Sequence, residues 1–384
     1  MDFELPEDLR LIKETVRRYV DSKMIPIEKE TCVGADLKPE YRERFEKDAK
    51  DLGLWLMDIP EEFGGQGMGV LATVVVIEEL ARTVALPARG SHFCGPSVRA
   101  ILFELSDEMK ERYLYPTIRG EKRACFGQTE PDAGSDPGSM RTTAVRDGDH
   151  YVINGVKRFI SGAGKADCIQ LMAATDRAKG SHGGISCFIV DMNTPGVKLT
   201  TQYETMMGDR PWEIVFDNVR VPVGHRVGGE GEGFKLGQRW LGAGRLRHGA
   251  RALGVAERCV EMMVNYSKLR VTFGKPLSER QGIQWMIADS YLELHAARLM
   301  VYQAAAKADA GLDFRNEAYM SKYYADEMAF RVADRCMQVH GGIALTTDLP
   351  IERMWRQQRS FRITEGASEV MKMVIARHVL KSYP

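Results

Sequence analysis

The sequence predicts an α+β, multidomain fold: an N-terminal α-helical domain over residues 1–122, a middle antiparallel β domain over 123–232 and a C-terminal four-helix bundle over 233–384. Three observations predict it. Apolar residues recur at helical spacing as far as about Gly120, short β-branched runs separated by turn residues replace them from about Arg123, and helical periodicity returns after the glycine-rich run Gly228 to Phe234. A chain of 384 residues exceeds one ordinary core and can bury a large cofactor.

In the first segment Leu9, Ile12, Val16, Tyr19 and Val20 lie three or four residues apart, and similar patterns run through Tyr41–Leu54 and Leu71–Leu80. The stretch Pro60 to Gly67 reads as a glycine-rich connector between helices; no strand precedes it and no Lys-Ser/Thr follows it, so phosphate binding is disfavoured. In the middle segment, Asp147-Gly148 and Asn154-Gly155 are hairpin signals flanking Tyr151-Val152-Ile153. The runs Cys168–Met172, Ile185–Val190, Val197–Thr201, Ile214–Phe216 and Val219–Val221 read as strands, with the sheet ending near Val223. In the last segment the apolar faces of Leu253–Val264, Ile283–Ala310 and Tyr319–Val339 belong to long amphipathic helices. Their wide, Met-rich stripes leave apolar surface for an oligomer.

Lys plus Arg and Asp plus Glu both number 53, so no net charge is available to hold nucleic acid or an anionic membrane, and neither partner is expected. The most apolar run, Val70 to Ile77, is far shorter than a membrane span. The acidic start Met1 to Glu7 leads straight into a helical pattern without a secretory or transit signature, and a cytoplasmic location is expected. The seven cysteines are scattered and form no C-x-x-C pair, so structural zinc and a disulfide framework are disfavoured and no metal is expected.

Chemistry concentrates in the stretch Phe361-Arg362-Ile363-Thr364-Glu365-Gly366-Ala367-Ser368-Glu369-Val370-Met371. A carboxylate followed by glycine, small residues and an apolar-periodic run reads as a loop that delivers Glu365 just before a helix, with Ser368 as a plausible N-cap. Taken alone, such a Glu-Gly pair is more often a solvated loop. The segment Cys125 to Asp136 offers exposed backbone N–H groups at Gly and Ser for a pyrophosphate, and a hydroxyl at Thr129 for a heteroaromatic edge, although turn clusters share this composition. No G-x-G-x-x-G follows a strand, so any nucleotide cofactor is expected between domains rather than on a Rossmann unit.

Thr129-Glu130-Pro131 with Ala133-Gly134-Ser135-Asp136, Arg270 with Phe273-Gly274-Lys275, Gln338 with Gly341-Gly342, and Thr364-Glu365-Gly366-Ala367 keep the order and spacing of a known pattern. In these motifs the chain resembles the acyl-CoA dehydrogenase family over essentially its whole length. The resemblance implies FAD, an acyl-CoA substrate, an electron-transfer flavoprotein as partner and a homotetramer built from dimers. It implies that Phe126, Gln128, Thr129, Gly134 and Ser135 line the flavin, with Thr129 near the pyrimidine side and Ser135 near the pyrophosphate, Ser135 serving the substrate as well. Phe159 and Ser161 would approach the flavin from the neighbouring strand, and Ala367 and Glu369, beside the base, would contact the cofactor as well. Arg270, Phe273, Gln281, Gln338, Gly341 and Gly342 would reach FAD across a dimer interface.

By the same resemblance Glu365 is the general base. It would remove the proton α to a CoA thioester carbonyl while flavin N5 takes hydride from the β carbon, giving a 2-enoyl-CoA. The weakly acidic proton requires a polarised carbonyl, which the family supplies through the base residue's N–H and a ribityl hydroxyl. A carboxylate of ordinary pKa, about 4.3, needs burial to become an effective base. Gly366 would let the backbone approach the thioester.

Several positions depart from the family pattern. Thr364 stands where Tyr is common, Ala367 where a flavin-contacting Thr is common, and Gly242 where straight-chain enzymes place an Asp that helps hold pantetheine. Gly244 occupies the alternative base position of branched-chain relatives, which leaves Glu365 alone in that role. Arg245 is a candidate CoA contact, and the cluster Arg245, Arg247, His248, Arg251 could meet CoA phosphates or form a solvated helix face. Arg89 or His92 could greet a polar acyl tail. The rival reading is an oxygen-using flavoenzyme of the same fold, of the acyl-CoA oxidase type.

Overall fold

The structure is a computed structural model that describes residues 4–88 and 92–383, so Arg89 lies outside the described residues. The chain forms two compact units: Met1–Cys94 with Gly242–Pro384, and Gly95–Leu241. Residues 1–94 of the expected N-terminal domain and 242–384 of the expected bundle therefore form one body, while residues 95–122, expected in the N-terminal domain, and 233–241, expected in the bundle, belong to the unit that holds the sheet. Val20, Phe45 and Val76 from the first segment belong to one buried cluster with Leu253, Val301 and Met328 from the last, because neither set of helices closes its apolar stripe alone.

The helical unit begins with α1 (Glu7–Tyr19), α2 (Pro39–Asp51) and α3 (Gly69–Leu80). Every residue from Ala72 to Leu80 is buried, Glu78 and Glu79 included. Glu78 survives burial because Lys13, Arg298 and Tyr302 donate to it at 3.1, 2.9 and 2.6 Å. Pro60 to Gly67 is a connector as expected, with one 3-10 turn at Glu61–Phe63.

The second unit is an eight-stranded sheet: β1 (Ala124–Gly127), β2 (Thr143–Asp147), β3 (His150–Ile160), β4 (Cys168–Ala174), β5 (Ile185–Asp191), β6 (Val197–Gln202), β7 (Trp212–Pro222) and β8 (Arg226–Val227). The strands run in the order β8-β5-β4-β2-β3-β7-β6, with β1 beside β4. Most pairings are antiparallel as expected, but β1 runs parallel to β4, and β2 touches β4 in parallel at Thr143↔Ala174. Asp147 pairs with His150 across a tight turn at Gly148, the hairpin that Asp147-Gly148 announced. Asn154-Gly155 is not a turn. It is an irregularity inside the long strand β3, where a Cβ on Gly155 would sit 2.4 Å from Thr142 Oγ1.

Three long helices follow: α4 (Gly233–Leu269), α5 (Gln281–Asp309) and α6 (Arg315–His340). The expected fourth bundle helix is two pieces, α7 (Ile351–Phe361) and α8 (Ser368–Ser382). Glu365 occupies the break. No helix among the described residues is long and apolar enough to cross a membrane.

Candidate active site

The break between α7 and α8 is built, not frayed. The N–H groups of Ile363 and Thr364 both donate to the Ser360 carbonyl at 3.0 and 3.1 Å, and Ser368 N–H donates to Arg362 O at 3.0 Å. Between these anchors Glu365 adopts φ 53° and Gly366 φ 102°. A glutamate in the left-handed region carries strain that the surroundings must hold in place.

Lys322 of α6 does the holding. Its Nζ donates at 2.8 Å to the carbonyls of both Phe361 and Gly366, one on each side of Glu365, and pairs with Asp326 at 3.0 Å. Lys322 is 1% exposed and Asp326 is fully buried. Burial raises the Asp326 carboxyl, Lys322 pulls it back, and the Glu365 charge raises it further. Beside the clamp, Arg362 Nε and Ser368 Oγ both donate to Glu327 Oε1 at 2.8 and 2.6 Å. Ser368 is therefore not the N-cap. Ala367 holds that position, and the Ser368 hydroxyl ties the first turn of α8 to α6.

The Glu365 side chain is 37% exposed and lies against α4. His248 Nε2 is 3.4 Å from Glu365 Oε2, and a Cβ built on Gly244 would sit 3.2 Å from the same oxygen. Arg245 is buried with its guanidinium 4.2 Å over the Tyr319 ring. His248 and Arg251 flank Phe361, the imidazole 4.5 Å and the guanidinium 5.0 Å from its ring. Arg251 also reaches the carbonyls of Ala88 and Pro87 at 3.4 and 3.5 Å, and Arg247 pairs with Asp58 at 2.7 Å.

The α4 basic cluster is consequently directed inward. It does not form a solvated face: Arg245, His248 and Arg251 are buried, and Arg247 is half-buried. His92 is committed too: it lies 3.5 Å from Asp58 and accepts the Cys94 N–H through Nδ1. Burial would raise the Asp58 carboxyl, but His92 and Arg247 hold it well below the usual carboxylate range.

In the β unit a second buried ion pair shapes the segment after β1. Lys157 Nζ, fully buried, donates to Glu130 Oε1 at 2.7 Å and to Gln128 O at 3.1 Å. Glu130 also accepts the N–H groups of Arg141 and Thr142 at 2.6 and 3.0 Å. Burial would raise the Glu130 carboxyl, yet Lys157 and these hydrogen bonds keep it below its ordinary value. Burial pushes the Lys157 ammonium down to about 8 against the pull of Glu130. Arg158 N–H donates to Thr129 O at 2.8 Å, which joins β3 to the loop.

One residue beyond, Phe159 has φ 60° inside an irregularity of the β3–β7 pairing and is 54% exposed. The irregularity lets Lys157 point inward while Phe159 points out. Gln128, Thr129, Phe159 and Ser161 are thus brought together, with Gly134 and Ser135 exposed on the same loop. None of the side-chain amide and hydroxyl groups of Gln128, Thr129, Ser135 and Ser161 is hydrogen-bonded within the described residues. An exposed aromatic beside uncommitted amide and hydroxyl groups fits the edge of a flavin and its phosphates.

The remaining candidates occupy other surfaces of the helical unit. Arg270 opens a two-stranded hairpin, Val271–Thr272 with Lys275–Pro276. Phe273 and Gly274 form its tip at φ 47° and 76°, and Phe273 is 99% exposed. Gln281 starts α5, and Gln338, Gly341 and Gly342 close α6; all four are exposed. Ala367 and Glu369 flank the start of α8 beside Glu365.

Sequence reasoning missed Lys322 and Lys157. A signal existed for the first: Lys322 and Asp326 are opposite charges four residues apart on the apolar face that carries Ala318, Ala325 and Ala329.

In chain order the protein is helical, then β, then helical, with a clamped carboxylate in a break of the last bundle helix. Three family models match in order: the N-terminal domain of acyl-CoA dehydrogenase over residues 6–121, the middle domain over 125–219 and the C-terminal domain over 231–380. The chain belongs to the acyl-CoA dehydrogenase family. It is 38% identical to acryloyl-CoA reductase (NADH) of Anaerotignum propionicum over 99% of this chain and 96% of that one. It is 37% identical to the short-chain specific acyl-CoA dehydrogenase of Clostridium acetobutylicum, over 99% and 100%. A chain solved in the study of the electron transferring flavoprotein of Acidaminococcus fermentans superposes with TM-score 0.87 at 34% identity, covering 99% and 100%.

Proposed function

We propose that the protein is an FAD-dependent acyl-CoA dehydrogenase in which Glu365 removes the α proton of a CoA thioester. The observation that carries this reading is the clamp: Lys322 fixes both flanks of Glu365, and the carboxylate stands partly exposed against Gly244 and His248. A base placed so needs no reorganisation of its backbone when substrate arrives. The half-buried Gln128 and Thr129 with the exposed Ser135, Ser161 and Phe159 would hold FAD, which when bound supplies the hydride acceptor. Gly366, at φ 102°, gives the backbone a path that a side chain would strain beside the thioester. Arg245, buried on Tyr319 and within electrostatic reach of Glu365, has a substrate-side role in this reading.

The electron acceptor is an electron-transfer flavoprotein, a reading supported by the relative solved in work on such a protein. A homotetramer is supported by exposed apolar side chains at Phe273 (99%), Trp285 (61%) and Leu292 (67%). The name of the Anaerotignum propionicum relative favours one alternative, in which the same residues act in reverse and reduce a 2-enoyl-CoA.

The test is a panel of acyl-CoA thioesters scored by anaerobic bleaching of the flavin, with Glu365→Gln as control. Wild type should bleach with at least one thioester, and Glu365→Gln should lose about 10²–10⁴-fold in rate while retaining flavin. Normal turnover by Glu365→Gln would remove the assignment. Rapid peroxide formation in air would move the enzyme to the oxidase class.

A further inference from the structure

The α4 surface under the base has two features that act together. Gly244 and His248 are one helical turn apart and point the same way. Gly244 leaves a notch whose missing Cβ would stand 3.2 Å from Glu365 Oε2, and His248 Nε2 stands 3.4 Å from that oxygen. The imidazole is set by packing on Phe361, with ring centres 4.5 Å apart, and the residue is 9% exposed.

The other ring nitrogen fixes the tautomer. His248 Nδ1 is buried and has no hydrogen-bond partner among the described residues. An ionised carboxylate only accepts, so the nitrogen facing it must carry a proton, and a proton placed on Nδ1 would be an unsatisfied buried donor. The Nε2–H tautomer meets both demands. The sealed Nδ1 also leaves no exit through the ring, so the imidazole is not a relay that takes the substrate proton onward.

We propose that His248 is a positioning residue for the base: its Nε2–H, beside the notch at Gly244, holds the Glu365 carboxylate in one orientation over α4. The inference rests on the dehydrogenase reading for its consequence in turnover, but the geometry it asserts does not depend on activity. Lys322 does not do the same work. Lys322 is occupied by Phe361 O, Gly366 O and Asp326, and it fixes the backbone of the loop rather than the Glu365 side chain.

The experiment compares His248→Leu, His248→Gln and wild type, each as FAD-loaded enzyme. Gln places an amide N–H close to where Nε2–H lies, whereas Leu keeps bulk against Phe361 without a donor. For an acyl-CoA that the wild type oxidises, His248→Leu should lower kcat about tenfold or more with KM within about twofold, since a misplaced reacting group costs up to about 10². His248→Gln should recover to within about threefold of wild type, and the α-deuterium isotope effect should rise only in His248→Leu. Equal kcat in all three proteins, or equal loss in both variants, would overturn the proposal in favour of simple packing.

A crystal structure of each protein supplies the readout that needs no turnover. Glu365 should keep its place over Gly244 in wild type and His248→Gln and leave it in His248→Leu. An unmoved carboxylate in His248→Leu would defeat the proposal whatever the kinetics. A wild type that bleaches with no thioester would instead defeat the dehydrogenase reading and leave the structural comparison to decide this one.

Discussion

The ammonium of Lys322 and the carbonyl of Gly366 are 2.8 Å apart, and the same ammonium is 2.8 Å from the Phe361 carbonyl, so one buried charge bridges the break that holds Glu365. Removing it leaves two carbonyls without a donor and Asp326 without its counter-ion. Breaking a buried pair by deleting one partner costs about 3–5 kcal/mol, and the already raised Asp326 carboxyl would blunt this by taking a proton. Lys322→Met should therefore destabilise the helical unit by about 3 kcal/mol in urea unfolding and lower kcat more than tenfold, because Glu365 would leave its strained backbone position. A variant that loses stability at full kcat would show that the clamp does not position the base.

Lys157 and Glu130 should govern the β unit in the same way, with a pH dependence whose sign is fixed. Lys157→Met should cost about 3 kcal/mol near neutral pH and weaken FAD retention, since the pair shapes the loop carrying Thr129 and Ser135. Folding lowers the Lys157 ammonium from 10.5 to about 8, so between those values the unfolded chain binds more protons. Wild type should then gain on Lys157→Met as pH rises from about 8 to 10.5. The Glu130 carboxyl is lowered from 4.5, so its contribution is present above that value and lost as pH falls below it. The difference between the two proteins should shrink in acid. A difference that is flat from pH 4 to 10 would contradict the assignment.

Phe273 is wholly exposed at the tip of a hairpin whose two central residues both have positive φ. Asn tolerates that backbone, so Phe273→Asn deletes the ring while keeping the turn. If the ring is buried between copies of the chain, the variant should dissociate at about tenfold higher concentration or more in sedimentation velocity, with reduced flavin content. An unchanged assembly would leave Phe273 outside the interface.

The fold was legible because its periods are unambiguous: the apolar spacing of Leu253 to Val264 or Ile283 to Ala310 has no strand reading. Asn154-Gly155 misled because a hairpin dipeptide and a bulge use the same positive-φ glycine, and only the close approach of Thr142 separates them. The union of the two outer segments into one body was hidden because apolar stripes do not name their partners. The motif singled out Glu365 in the sequence, but no such motif marked the residues that clamp its loop. Lys322 and Lys157 act through contacts 39 to 44 and 27 to 29 residues away along the chain, and a lysine in a sequence gives no sign that it is dry.

Gly244 should separate stability from activity. It lies inside α4, where replacing glycine by alanine stabilises a helix by up to about 1 kcal/mol. The added methyl would sit 3.2 Å from Glu365 Oε2, close enough that the carboxylate must shift by a few tenths of an ångström, and the end of a side chain can make that shift at little cost. Gly244→Ala should therefore unfold at equal or higher urea concentration than wild type. The carboxylate would move away from the α4 surface, and kcat should fall about three- to tenfold, in keeping with the sensitivity of proton abstraction to sub-ångström placement. Loss of stability without loss of kcat would mean that the crowding falls on the helix packing and not on the base, and that the notch has no part in holding Glu365.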